Sequence, residues 1–178
     1  MATYVVFLRA VNVAGRSVPM AALRSRLAAD GFQDVESYIQ SGNLRLSTAR
    51  AKEDDVAVRV EDVVADGFGI RTSAVVRTPA ELAALHRLGT DLPDPLPAPS
   101  RRYVALARDP FPEDAVVTLE GWSVPGERAR VVGRDCYLWF NGPFHAAKLS
   151  NARIERLGAL ATTRDWKVIT ALANRWGG

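Results

Sequence analysis

Over the first 77 residues the hydrophobic period switches between strand-like and helix-like runs in an order that few folds accommodate. Tyr4 to Leu8 is an unbroken apolar run of β-formers, the mark of a strand covered on both faces and so central in its sheet. Pro19 opens a helix at its first position, Met20, Leu23 and Leu27 supply its buried stripe, and Gly31 closes it. Val35, Ser37 and Ile39 alternate with Glu36, Tyr38 and Gln40, and Leu44 and Leu46 resume the alternation beyond Ser41-Gly42, which predicts a two-residue hairpin. Glu53, Asp54 and Asp55 complement the dipole of a second helix, whose inner face is Val56, Val60, Val63 and Val64. A fourth strand is read from Ile70 to Arg77. The resulting β-α-β-β-α-β string is the split arrangement of the ferredoxin-like fold.

Thr78-Pro79-Ala80-Glu81 combines an N-cap, a proline at the first helical position and a capping-box glutamate, so a helix with Leu82, Leu85 and Leu88 starts a second unit. The expected organisation is α+β: residues 1–77 form the ferredoxin-like subdomain, packed with a smaller C-terminal α+β subdomain over residues 78–178. Pro93, Pro95, Pro97 and Pro99 read as an extended surface connector. Arg102 to Ala107 is a strand, Pro112 to Leu119 a short helix, and Arg128 to Val132 pairs with Cys136 to Phe140 about Gly133-Arg134-Asp135. Ser150 caps a helix carrying Ile154 and Leu157. Thr162 to Asp165 reads as a capping box for a last helix with Trp166, Ile169, Ala173 and Trp176 inward. No internal repeat is visible.

Composition limits the function classes. With 178 residues and 48% hydrophobic content the chain can bury a substantial core. Its 23 basic against 20 acidic residues leave a net charge of +3 without a basic block, which gives nucleic-acid binding no bulk electrostatic support. One cysteine rules out an internal disulfide, and the chain enters its first strand without a leader pattern, so a cytoplasmic protein is expected. No apolar run approaches the roughly 20 residues that span a bilayer, so no membrane partner is expected. Oligomeric state is not legible.

In a split β-α-β unit the end of strand one, the start of helix one and the strand two–three hairpin share an edge. Arg9, Asn12, Gly15, Arg16, Gln40, Ser41 and Asn43 are thereby gathered around the helix-one N-terminus, whose free N–H groups and positive dipole favour an anion. This predicts a site for a small anionic or phosphorylated ligand, with Arg9 and Arg16 neutralising it and Asn12, Gln40, Ser41 and Asn43 orienting it. A competing reading takes Asn12, Gly15, Ser41, Gly42 and Asn43 as turn formers. Arg9, Arg16 and Gln40 exceed what a turn requires. Lys148 beside Ser150 and Asn151, and Arg164 beside Thr162 and Thr163, form two further polar clusters and join the ligand-binding candidates.

Catalytic signatures are missing, and whether a reaction is catalysed stays open. His86 and His145 have no donors at metal-ligand spacing, so no metal is expected. Cys136, between Asp135 and Tyr137 in a strand, reads as a small buried hydrophobe. There is no phosphate loop, nucleophile elbow or dinucleotide fingerprint, hence no cofactor. RNA binding on a ferredoxin-like sheet is the alternative, but strand three, Asn43 to Ser47, carries no aromatic, and Tyr137 and Trp139 read as core. A protein-interaction module without a small ligand is the third reading.

Arg9 to Gly15, Met20 and Leu23, Gly31-Phe32, Tyr38-Ile39-Gln40-Ser41-Gly42-Asn43 and Thr163-Arg164-Asp165-Trp166 resemble the DUF 1697 family, a domain of unknown function, over nearly the whole chain. The resemblance implies a bacterial-type cytosolic protein of two α+β subdomains, the first ferredoxin-like, with no established activity. The chain departs from the family pattern at Ala14, where a glycine is typical, and at Asp165, where an asparagine is typical. An acid at Asp165 suits helix capping and removes the family's amide.

Overall fold

The computed structural model describes every residue except Val13, Ala14 and Arg16. The chain divides into two units, Met1–Ala83 with Leu172–Gly178, and Ala84–Ala171.

In the first unit β1 (Ala2–Leu8), α1 (Met20–Ala29), β2 (Gln33–Tyr38), β3 (Asn43–Thr48), α2 (Glu53–Phe68) and β4 (Ala74–Arg77) follow in the expected order. The strands lie β2-β3-β1-β4, every neighbouring pair antiparallel, with Val6 opposite both Leu44 and Val76. This is the ferredoxin-like arrangement. Alternation along the strands turns Tyr4, Val6, Leu8, Leu44, Leu46 and Val76 toward Leu23 and Leu27 of α1 and Val56, Val60 and Val64 of α2. Each such side chain contributes about 1.5–3 kcal/mol on burial, so this layer holds the helices on the sheet. Val5 and Phe7, on the opposite face of β1, are also fully buried. At the helix ends, Arg59 on α2 makes a bidentate pair with Asp30 just beyond α1, its Nε 2.8 Å from Oδ2 and its Nη2 on Oδ1.

Two local expectations are corrected. The link between β2 and β3 has four residues, Ile39 to Gly42, with Tyr38 opposite Asn43. Both Ile39 (φ 49°) and Gly42 (φ 76°) are left-handed, a turn that a β-branched residue does not announce. The fourth strand is also shorter than expected and begins at Ala74, where the backbone first pairs with Leu8.

Beyond β4, α3 (Pro79–Asp91) leads to β5 (Arg101–Ala107), α4 (Glu113–Glu120), β6 (Glu127–Val132), β7 (Asp135–Phe140), a 3-10 turn over Phe144–Ala146, α5 (Asn151–Arg156), β8 (Ala161–Asp165) and α6 (Trp166–Trp176). The second sheet runs β6-β7-β5-β8 and is again antiparallel throughout. Here Ala105, Ala107, Cys136, Leu138 and Phe140 pack with Ala115 and Leu119 of α4 and Ile154 of α5. β8 replaces the expected capping box. Thr162 to Arg164 pair with Val104 to Leu106, and only Asp165 caps α6, accepting from the Lys167 N–H at 2.8 Å.

The second sheet therefore repeats the first, a duplication not visible in the sequence. Leu8 N–H donates to the Gly42 carbonyl at 2.8 Å and Arg9 N–H to Ser73 at 2.8 Å. In the second copy Ala107 N–H donates to Arg134 at 2.8 Å and Arg108 N–H to Leu160 at 3.0 Å. Val5 faces Arg77 across β1 and β4, and Val104 faces Arg164 across β5 and β8. Both arginines are buried, and each donates Nη1 to the carbonyl of its preceding residue, at 2.9 and 3.0 Å.

Candidate functional site

The two polar loops of the first unit meet, as the split topology requires. Gly42 is where they close. A Cβ there would lie 2.8 Å from both Leu8 Cβ and Val11 Cγ2, so only glycine fits at that φ. Asn12 spans the junction: its Oδ1 accepts from the Val18 N–H at 2.7 Å, while its Nδ2 donates to the Gln40 carbonyl and, at 3.4 Å, to that of Val18. Asn43 is fully buried and donates to the Tyr38 carbonyl at 3.2 Å and to Ser41 Oγ at 2.8 Å. A third segment joins at Arg9, whose carbonyl accepts from Thr72 Oγ1 at 2.6 Å.

Beside this junction stands the N-terminus of α1. Pro19 occupies its N-cap position and offers no side-chain acceptor, and the first turn, Met20-Ala21-Ala22, has no acid. In α2 the corresponding turn holds Glu53, Asp54 and Asp55. Ala21 and Ala22 are exposed, as are Gly15 and Gln40, while Arg9 is half-buried. Among the described residues, Ala10, Asp34 and Ile39 are the non-glycine residues with positive φ, and Ala10 and Ile39 both border this edge. Such strain, of order 1 kcal/mol or more per residue, persists only where surrounding contacts enforce it.

The structure thus brings Arg9, Asn12, Gln40, Ser41 and Asn43 to one edge, with Gly15 in the same loop. Arg16 lies outside the described residues. Lys148 and Arg164 belong to the second unit, where the neighbouring Thr163 Oγ1 bonds Asn151 Oδ1 at 2.9 Å. Lys148 is exposed, and its backbone N–H donates to Glu127 Oε1 at 2.7 Å at the start of β6, whereas Arg164 is buried in β8, the opposite edge strand. Burial lowers Arg164 to about 10, and its Nη1 donates to Thr162 Oγ1 at 2.7 Å. Burial also pushes the Cys136 thiol up, which suits a hydrophobic rather than a nucleophilic role. Among the described residues no three His, Cys, Asp or Glu side chains converge to hold a metal ion, and no helix is long and apolar enough to cross a membrane.

The family model described as "Protein of unknown function (DUF1697)" matches residues 1–137, more than three-quarters of the chain and all of the edge just described. The chain belongs to the DUF1697 family. A solved structure of the conserved bacterial protein SP0830 from Streptococcus pneumoniae aligns with this DUF1697 chain at a TM-score of 0.73 and 20% identity, covering 100% of this chain and 99% of that one. The likeness is one of fold. No curated protein matches the chain.

The DUF1697 chain also holds a stack that its sequence does not announce. The Arg102 guanidinium lies 5.2 Å from the Trp139 ring and 5.3 Å from the Trp166 ring, and His86 stacks on Trp166 at 5.2 Å. Arg102 donates to the carbonyls of Gly89 and, at 3.1 Å, Leu92, and burial lowers its pKa. Trp166 thus carries both a cation and a stacked imidazole. The available signal was the alternation that puts Arg102 opposite Trp139 on one sheet face.

Proposed function

We propose that the protein binds a small anionic or phosphorylated ligand at the α1 edge of its first unit. The observation that carries this reading is the open first turn of α1, whose N–H groups, among the described residues, have neither a side-chain cap at Pro19 nor an acid in the turn. A helix N-terminus of this kind attracts an anion through its N–H groups and its dipole together. Arg9 supplies positive charge at the neighbouring loop, and Gln40 and Gly15 are exposed beside it. Asn12, Ser41 and Asn43 act one step back. Asn12 bonds across to the Gln40 carbonyl while Asn43 and Ser41 bond within their own turn, so direct ligand contact falls to backbone N–H groups, Arg9 and Gln40.

The RNA reading weakens because its platform is closed. β1 is buried from Tyr4 to Leu8 and β7 from Cys136 to Phe140, so neither strand presents aromatics to a base, and Tyr103 of β5 is stacked on Phe144. The test of the proposal is a thermal-shift series with inorganic phosphate, sugar phosphates and nucleotides. Binding raises the melting temperature progressively with ligand concentration, and a flat response at millimolar ligand overturns the proposal.

A further inference from the structure

We infer a second ligand site, in the Ala84–Ala171 unit, for a small carboxylate with an apolar body. It is independent of the α1 edge. A cleft of about 400 Å³ opens between the proline connector and the sheet. Leu92, Pro93 and Pro95 form one wall and Trp139 another, while Arg128 and Arg130 stand with Glu120 at the charged rim. Apolar walls with a few charged groups are the usual make-up of a small-molecule site, and the volume is in the usual range.

Charge selects the ligand. Glu120 is already committed, one oxygen accepting from the Val131 N–H at 2.7 Å and the other paired with Arg130 at 3.1 Å. Among the described residues Arg128 is tied through Nη1, which donates to the carbonyls of Glu127 and Val124 at 2.7 and 3.1 Å. Neither partner is ionised, so the rim keeps one positive charge and the guanidinium retains further N–H donors. A carboxylate satisfies both, because the guanidinium fork matches its two oxygens.

Trp139 supplies an independent observation. It is 2% exposed, and among the described residues its Nε1 hydrogen is buried without an acceptor. Buried donors are nearly always paired, and this unpaired one belongs to a residue of the cleft wall. Arg128 and Arg102 sit on either side of Trp139 across the sheet, and the Arg102 guanidinium lies on its ring, which fixes the indole before any ligand arrives. The inferred pose sets the apolar body between the prolines and the indole, with the carboxylate at Arg128.

The experiment is a titration of the full chain with phenylacetate, phenylacetamide and acetate, followed by proton–nitrogen NMR of the indole N–H signals. Trp139→Phe assigns the Trp139 signal. We expect phenylacetate to shift that signal saturably, phenylacetamide to bind at least tenfold more weakly, acetate to leave it unmoved, and Arg128→Gln to remove the preference for the carboxylate. Arg9→Ala should leave all of this intact. If the wild-type Trp139 signal stays still under phenylacetate, or if the acid and the amide shift it alike, the inference fails. Loss of the response in Arg9→Ala would also overturn it by moving the ligand to the α1 edge.

Discussion

Asn12 donates its side-chain amide to the Gln40 carbonyl, so one residue of the β1–α1 loop reads the backbone of the β2–β3 turn. The same side chain caps the Val18 N–H at 2.7 Å. Asn12→Ala removes both contacts at a residue pair distant in sequence. It should lower unfolding free energy by about 1–3 kcal/mol, since the buried Val18 N–H loses its acceptor and the Gln40 carbonyl its donor. Asn12→Asp keeps the acceptor for Val18 and should fall between, as urea denaturation would show. Equal losses for the two variants would mean that the Gln40 contact alone matters.

Gly42 and Gly133 are both left-handed turn glycines, at φ 76° and 59°, but only Gly42 is crowded. At Gly133 an added Cβ meets nothing within 4 Å. Gly133→Ala should therefore cost only the conformational term, about 1–2 kcal/mol. Gly42→Ala should cost more, by about 1–3 kcal/mol of overpacking against Leu8 and Val11. Comparing the two denaturation midpoints separates backbone strain from steric closure of the edge.

Arg102 is held by two indole faces and two carbonyls, a set that needs a planar cation with several donors. Lysine keeps the charge and loses the plane and the fork. Arg102→Lys should destabilise the protein by about 1–3 kcal/mol and flatten the tryptophan bands of the near-ultraviolet circular dichroism. Unchanged bands would show that Trp139 and Trp166 keep their places without Arg102.

The pair Asp30–Arg59 makes an acid-side prediction. The hydrogen bond from Arg59 holds the Asp30 carboxyl below its ordinary value. A depressed folded pKa contributes stability fully above the unfolded pKa of about 3.9, and that contribution disappears as pH falls through the folded value. Asp30→Asn should therefore be less stable than the parent at pH 7. The gap should close as pH drops below about 4. Urea midpoints at pH 7 and pH 3 check it. A gap of the same size at both values contradicts the assignment.

The order of elements was legible because hydrophobic period is a local property: the β1 run, the Leu23–Leu27 stripe and the valines of α2 each declare themselves. β8 was not, because Thr162, Thr163 and Arg164 are residues that caps also use, and their burial in the sheet is set by pairing with β5. The duplication was hidden for a related reason. Tyr4 and Tyr103, Arg9 and Arg108, and Arg77 and Arg164 sit at matching positions, but their surroundings share hydrophobicity rather than identity. At the candidate edge the meeting of the loops followed from topology. The roles of Asn12 and Asn43 did not, since an amide that could orient a ligand is equally able to bond a carbonyl, and only the geometry shows which partner it takes.

The central claim is that the first turn of α1 receives an anion, and its most direct measurement follows the backbone amides of Ala21 and Ala22 during titration with inorganic phosphate. Both residues are exposed and neither has a side chain that could answer for the N–H groups. We expect saturable shifts confined to these amides and the Gly15 and Gln40 loops, weakened by Arg9→Ala. Ala22→Glu places a carboxylate where the ligand would sit. It should stabilise the free protein by about 0.3–1 kcal/mol through the helix dipole and abolish the shifts. Amides that stay still at millimolar phosphate, or shifts that persist in Ala22→Glu, would contradict the claim.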